Sequence, residues 1–243
     1  RAAGQAVLLA GGFGGLAAAA GLAGFPALVA LLRLEGDAAG YAVEFLTPLA
    51  LLFPLYMVEA AGIACLVGAG DTRTGPKVLG VVVLVNVPLA TGLSTGVGGF
   101  PDWGFVGIAW GTALSHGVGC LMVAATLARG RYGLRVRAAD LIPDGGLVYR
   151  LLRVSVPAAA DSLSVGLFQF AFLGLVNRLG AVPSAAHGTA LQLEGLGYLS
   201  GAAFGTVAAS VVGRALGAGR PDAAARLGWV TLAVGAGWMS VMG

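Results

Sequence analysis

Charge is scarce in this chain. Only 10% of its 243 residues are Asp, Glu, Lys or Arg, and lysine occurs once, as Lys77. Soluble domains carry about a quarter charged residues, so a water-exposed globule is excluded. Cysteine is nearly absent too. Cys65 and Cys120 lie in separate apolar stretches and suit small core residues better than a disulfide or metal pair. The two histidines, His116 and His187, stand too far from each other and from the cysteines to suggest a metal site. No Ser/His/Asp or Cys/His grouping is visible, so the reading is not an enzyme, with no cofactor.

What fills the chain instead is apolar. Hydrophobic residues make up 58%, and the mean hydropathy is +0.89. A spanning helix needs about 20 mostly apolar residues. Seven segments meet or approach that length: 5–32, 41–68, 77–98, 104–128, 152–179, 185–213 and 223–243. The pattern predicts an all-α, polytopic transmembrane bundle. The last segment stops in mid-pattern and the chain opens at Arg1 rather than Met, so truncation at both ends is expected. The 42 glycines sit among Ala, Leu and Val. Pairs spaced GxxxG (Gly11/Gly15, Gly92/Gly96, Gly107/Gly111, Gly201/Gly205) predict close helix packing.

The few charges are ordered. Of 14 basic residues, 12 gather at Arg1, at Arg73 and Lys77, from Arg129 to Arg153, and at Arg214, Arg220 and Arg226. Under the positive-inside rule, 69–77, 129–153 and 214–226 are expected to be cytoplasmic, with 33–40, 99–103 and 180–184 external. Trp103, Tyr132 and Tyr149 fall at the interfaces this predicts. The net charge of +3 is therefore juxtamembrane, suited to anionic lipid head groups rather than nucleic acid. The one long connection contains Pro143-Asp144-Gly145-Gly146 and reads as a linker. The expected organisation is a first bundle over 1–128, a cytoplasmic linker over 129–149 and the start of a second bundle over 150–243.

Acids inside apolar spans are candidates for function, because an acid at the helix centre costs about 2.5–3.5 kcal/mol on insertion scales. Asp161 lies eight residues beyond Arg153, about 12 Å at 1.5 Å per residue. Glu194 is near mid-depth in the next span, and Glu59 is 12 residues before Asp71, about 18 Å away. These three are the ion- or proton-coupling candidates, with a possible Na⁺ near Asp161. Asn86, Thr112 and Gln169 are polar candidates for a cleft. Interhelical hydrogen bonding is the alternative for each. Glu44 and Arg178 sit near the external surface and receive no role. Pro48, Pro54, Pro88 and Pro157 fall inside spans, where they bend helices or interrupt them around a site.

Residues 68–76, GAGDTRTGP, lack the Gly-Lys-Ser/Thr ending of a phosphate loop and read as a helix stop and restart. This turn, with 104–112 (GFVGIAWGT), Ala185-Ala186-His187, Leu193-Glu194-Gly195 and 213–220 (GRALGAGR), resembles the multidrug and toxic compound extrusion (MATE) family. The resemblance covers essentially the whole chain. It implies helices three to six in the first of two pseudo-symmetric bundles and seven to nine in the second. It also implies a monomeric, multi-pass inner-membrane antiporter that exports small organic cations by alternating access, driven by Na⁺ or H⁺. Asn86 and Thr112 match polar positions around a first-bundle cation or proton site, and Asp161 matches an acid early in helix seven. Three positions depart from the pattern: Ala90 and Val165 stand where acids occur, and Arg214 where glutamine is common. A lipid-linked saccharide flippase and an inactive membrane protein are the alternatives.

Overall fold

The computed structural model describes residues 1–31, 37–130 and 134–242. Tyr132 therefore lies outside the described residues. Regular structure is helical: α1 (Ala2–Leu31), α2 (Asp37–Gly68), α3 (Thr74–Thr95), α4 (Phe105–Arg129), α5 (Gly145–Asn177), α6 (Ala181–Gly217) and α7 (Pro221–Met242), with single 3-10 turns at Val97–Gly99 and Ala138–Leu141. Among the described residues, the first six helices are long and apolar enough to cross a membrane. The seventh expected span, α7, falls short. Asp222 and Arg226 interrupt its start, and Gly and Trp dilute the rest. Helix α5 starts seven residues before the expected 152, which puts Arg150 on the helix rather than in a loop.

The prolines do not interrupt the helices. α1 continues through Pro26, α2 through Pro48 and Pro54, α3 through Pro88 and α5 through Pro157. Each removes one ladder hydrogen bond without ending the helix.

The chain divides into two compact units, Arg1–Leu152 and Arg153–Gly243. In the first, α1 packs on α2, α2 on α4, and α3 on α4. Helix–helix contact in lipid gains nothing from the hydrophobic effect, so close packing and polar bonds must hold it. Glycines supply the approach. A Cβ at Gly107 would lie 2.2 Å from the Leu93 carbonyl oxygen, and one at Gly111 2.5 Å from the Ala90 nitrogen. Leu66, Val78, Val82, Val123 and Leu127 form the core, and Leu134 and Val136 from the connection after α4 pack on it.

The turn at 68–76 is a helix stop and restart. Asp71 is buried, and its Oδ1 accepts from the Arg73 and Thr74 backbone N–H groups at 3.1 and 3.0 Å. A carboxylate on the free donors of a helix start also favours the positive end of the helix dipole. The connection after α4 is tied back to α1. Gln5, also buried, donates through Nε2 to the Asp140 and Ile142 carbonyls at 2.8 and 2.7 Å. Its Oε1 accepts from the Asp144 N–H at 3.0 Å. The expected linker thus packs as part of the first unit. In the second unit α6 packs on α7, across a groove lined by Gly201, Phe204, Gly228, Gly235 and Met239.

Candidate functional site

Three helices of the first unit place polar groups in one layer. Helix α4 presents Thr112, Ser115, His116 and Gly119, spaced three and four residues apart and so on one face. Helix α3 runs antiparallel to it. Val82 lies against Gly119, Asn86 against Thr112 and Ser115, and Ala90 against Gly111. Helix α2 runs parallel to α4, with Gly62 against Val123 and Glu59 against Gly119 and His116. One helical turn on from the apolar core, this register becomes polar.

Asn86 Nδ2 donates to Thr112 Oγ1 at 3.1 Å and to Ser115 Oγ at 3.4 Å. Both hydroxyls donate to their own helix, Thr112 to the Ile108 carbonyl at 3.0 Å and Ser115 to the Thr112 carbonyl at 2.7 Å. Those hydroxyls are therefore committed, and the amide reads them across the interface. This is the interhelical bonding that Asn and Thr make in membranes.

Glu59 is different. It is 1% exposed. Its Oε2 lies 2.8 Å from His116 Nδ1, while its Oε1 is buried without a hydrogen-bond partner. A Cβ at Gly119 would fall 2.5 Å from Oε1 and 2.7 Å from Val82 Cγ2, so glycine makes room for the acid beside an apolar wall. An unsatisfied buried acceptor costs about 1–3 kcal/mol and more if charged. The His116 side chain is 25% exposed, with the Tyr56 ring edge-on at 4.9 Å. Glu59 is sealed on one side and reaches the surface through an imidazole on the other.

Of the six candidates read from sequence, Glu59, Asn86 and Thr112 thus meet within adjacent turns of α2, α3 and α4. Asp161 and Gln169 on α5, and Glu194 on α6, lie on exposed helix surfaces of the second unit. The sequence reading missed His116 because its partner is 57 residues away. The available signal was the polar face Thr112-Ser115-His116 against glycine at 119. His187 stacks edge-on with Phe172 at 5.3 Å. Among the described residues no three His, Cys, Asp or Glu side chains group to hold a metal ion.

A family model described as MatE matches residues 1–91 and 157–243. The chain is 29% identical to the probable multidrug resistance protein NorM of Thermotoga maritima, over 82% of this chain and 43% of that protein. It is 30% identical to the multidrug resistance protein NorM of Burkholderia vietnamiensis, over 77% of this chain and 42% of that protein. Among solved structures, an inward-facing multidrug resistance MATE family transporter of the MOP superfamily aligns with a TM-score of 0.68 at 22% identity, over 91% of this chain and 51% of that one. This chain therefore spans about half the length of the proteins it matches. With the GAGDTR turn, the two units of membrane-length helices and a family match over most of its length, the chain belongs to the MATE family of multi-pass membrane proteins.

Proposed function

We propose that the complete protein is a cation-coupled antiporter that exports small organic cations across the membrane by alternating access. The observation that carries this reading is Glu59, a carboxylate buried between membrane-spanning helices with one oxygen unpartnered. Such a group is expensive in lipid and serves ion or proton movement more often than packing. Glu59 is the coupling group of the first bundle, and Asp161 and Glu194 are those of the second. Asn86 and Thr112 hold α3 against α4 beside Glu59, and Gln169 supplies a polar contact to a cleft. The family match and the multidrug resistance relatives support export of small molecules. Among the described residues no Arg or Lys is buried, which weighs against a flippase for anionic lipid-linked saccharides.

The test is uptake of ethidium by vesicles holding the full-length protein, driven by an imposed Na⁺ or H⁺ gradient. Glu59→Gln is expected to lower the gradient-driven rate about tenfold or more, within the usual range of coupling free energies. Asp161→Asn is expected to lower it less. Uptake that ignores both gradients in the wild type overturns the coupled-antiport reading, and no protein-dependent uptake at all leaves a static membrane protein.

A further inference from the structure

We propose that a pocket at the common start of α2 and α4 binds the ammonium head group of an ethanolamine-type phospholipid. It is separate from the buried polar layer around Glu59. Glu44, Thr47 and Pro48 of α2 face Val106 and Trp110 of α4, and Trp103 from the turn before α4 completes a cavity of about 500 Å³.

The walls of this pocket are fixed. Phe45 stacks on Phe105 with centroids 4.7 Å apart, which joins α2 to α4 at this end. Pro48 is fully buried. The Trp103 N–H donates to the Leu93 carbonyl at 2.8 Å, and the Gly104 N–H donates to Asp102 Oδ1 at 3.0 Å. The turn that carries Trp103 is thus held on both sides. Thr47 spends its hydroxyl on its own helix, donating to the Val43 carbonyl at 2.7 Å. Glu44 is left over. Among the described residues no hydrogen bond or ion pair engages its carboxylate, and none engages either indole N–H.

Two indoles and one carboxylate select an ammonium. The Trp103 and Trp110 rings lie 6.1 Å apart and are inclined at 58°, two walls rather than a closed stack. A cation within about 6 Å of an indole centroid is attracted by the ring quadrupole. The carboxylate adds a full charge and accepts N–H bonds. The indole N–H groups can donate to the phosphate or ester oxygens of the same lipid. The surrounding charge agrees. Asp37 opens α2 and Asp102 precedes Trp103, while the described basic residues of the first unit lie toward the opposite helix ends. Arg33 lies outside the described residues. An anionic head group is disfavoured here and an ammonium is drawn in.

Depth separates a lipid from a soluble ligand. Glu44 is seven residues beyond Asp37, and Trp110 is five beyond Phe105, about 10 and 8 Å along their helices. That depth crosses a head-group layer about 5–8 Å thick and enters the outermost hydrocarbon. A phospholipid bound there keeps its acyl chains in the bilayer, so the site needs no route to water. On the positive-inside pattern this is the outer leaflet.

Native mass spectrometry of the full-length protein in detergent, given equal phosphatidylethanolamine and phosphatidylglycerol, tests this by counting retained lipid. The wild type is expected to retain the ethanolamine lipid at least about fivefold more, the size of one partly exposed cation–π contact. Glu44→Gln is expected to bring the two lipids to parity. Trp110→Leu is expected to weaken ethanolamine-lipid retention while the fold stays intact. Asp222→Asn, which removes an exposed acid from α7, is expected to change nothing. Equal retention of both lipids by the wild type overturns the proposal, and so does an unchanged preference in folded Glu44→Gln and Trp110→Leu proteins. A preference erased by Asp222→Asn also overturns it, because net charge alone is then the cause. Displacement of the lipid by tetraphenylphosphonium overturns the lipid assignment and makes the pocket a site for soluble cations. None of these outcomes bears on gradient-driven uptake, so the antiport reading is tested apart from this one.

Discussion

Helices α4 and α6 are built from the same small and aliphatic residues, yet they live differently. In the most apolar stretch of α4, 44% of residues are buried, against none in α5 or α6. Composition does not separate them; the placement of glycine does. On α4, Gly107, Gly111 and Gly119 each face a backbone or a carboxylate too close for a methyl group. On α6, Gly195, Gly205, Gly213 and Gly217 face nothing within 4 Å. Small residues permit approach, and a neighbour must be there to use it. The first unit couples its helices tightly enough to bury Glu59. The second carries its acids Asp161 and Glu194 on exposed helix surfaces.

The sharpest way to break this contrast is to add the same methyl to both units. Gly107→Ala drives a Cβ into the Leu93 carbonyl, so α3 and α4 must separate. Overpacking of this kind costs about 3 kcal/mol, read as a fall in the thermal unfolding midpoint of the full-length protein in detergent. Gly205→Ala meets nothing and gains helix propensity, an effect of about 0.5–1 kcal/mol in the stabilising direction. Equal damage from both changes would mean that α6 is packed by a partner in the complete protein, and the comparison would collapse.

The same residues show what was legible in the sequence. Six of the seven predicted spans are long and apolar enough to cross a membrane, because twenty-residue apolar runs are read by length and charge alone, without reference to a partner. The GxxxG pairs were legible only as permission. Gly107/Gly111 packs backbone to backbone, but Gly96 ends α3 with φ +69°, and Gly15 and Gly205 face open space. Glu59 could be found because depth along a helix is a count of residues. Its bond to His116 could not, because it depends on the register of α2 against α4. For the same reason Gln5 went unread: its partners lie 135 or more residues away.

A second, smaller test concerns where the first unit ends. Three hydrogen bonds from Gln5 hold the connection after α4 against α1, and their loss is what would make 138–144 behave as a free linker. Gln5→Leu removes them and strands two carbonyls and one N–H. The expected loss is about 1–3 kcal/mol locally, with faster hydrogen exchange at the Asp144 amide, whose acceptor is Gln5 Oε1. If exchange there is unchanged, Leu134 and Val136 alone hold the connection, and the compact unit owes its reach to apolar packing.

The smallest expected effect is one of pH at the same connection. The Asp140 carboxyl is held below the usual carboxylate range, first by the Arg137 backbone N–H at 3.0 Å and then by the positive charges of the Arg1 and Arg137 side chains. The fold therefore favours the ionised form. Its contribution is present at neutral pH and is lost as pH falls through the lowered value, beginning near the ordinary carboxylate value of about 4. The turn over Ala138–Leu141 should loosen on that acid side, seen as faster proteolysis or exchange at 137–144, while the helices of the first unit hold. Asp140→Asn should flatten the acid dependence, because an amide accepts the same bond without titrating. If the wild-type turn is equally protected on both sides of that range, the Gln5 bonds rather than the Asp140 charge fix it. The connection would then belong to the first unit through neutral hydrogen bonds, in keeping with the Asn86, Thr112 and Ser115 contacts deeper in the same bundle.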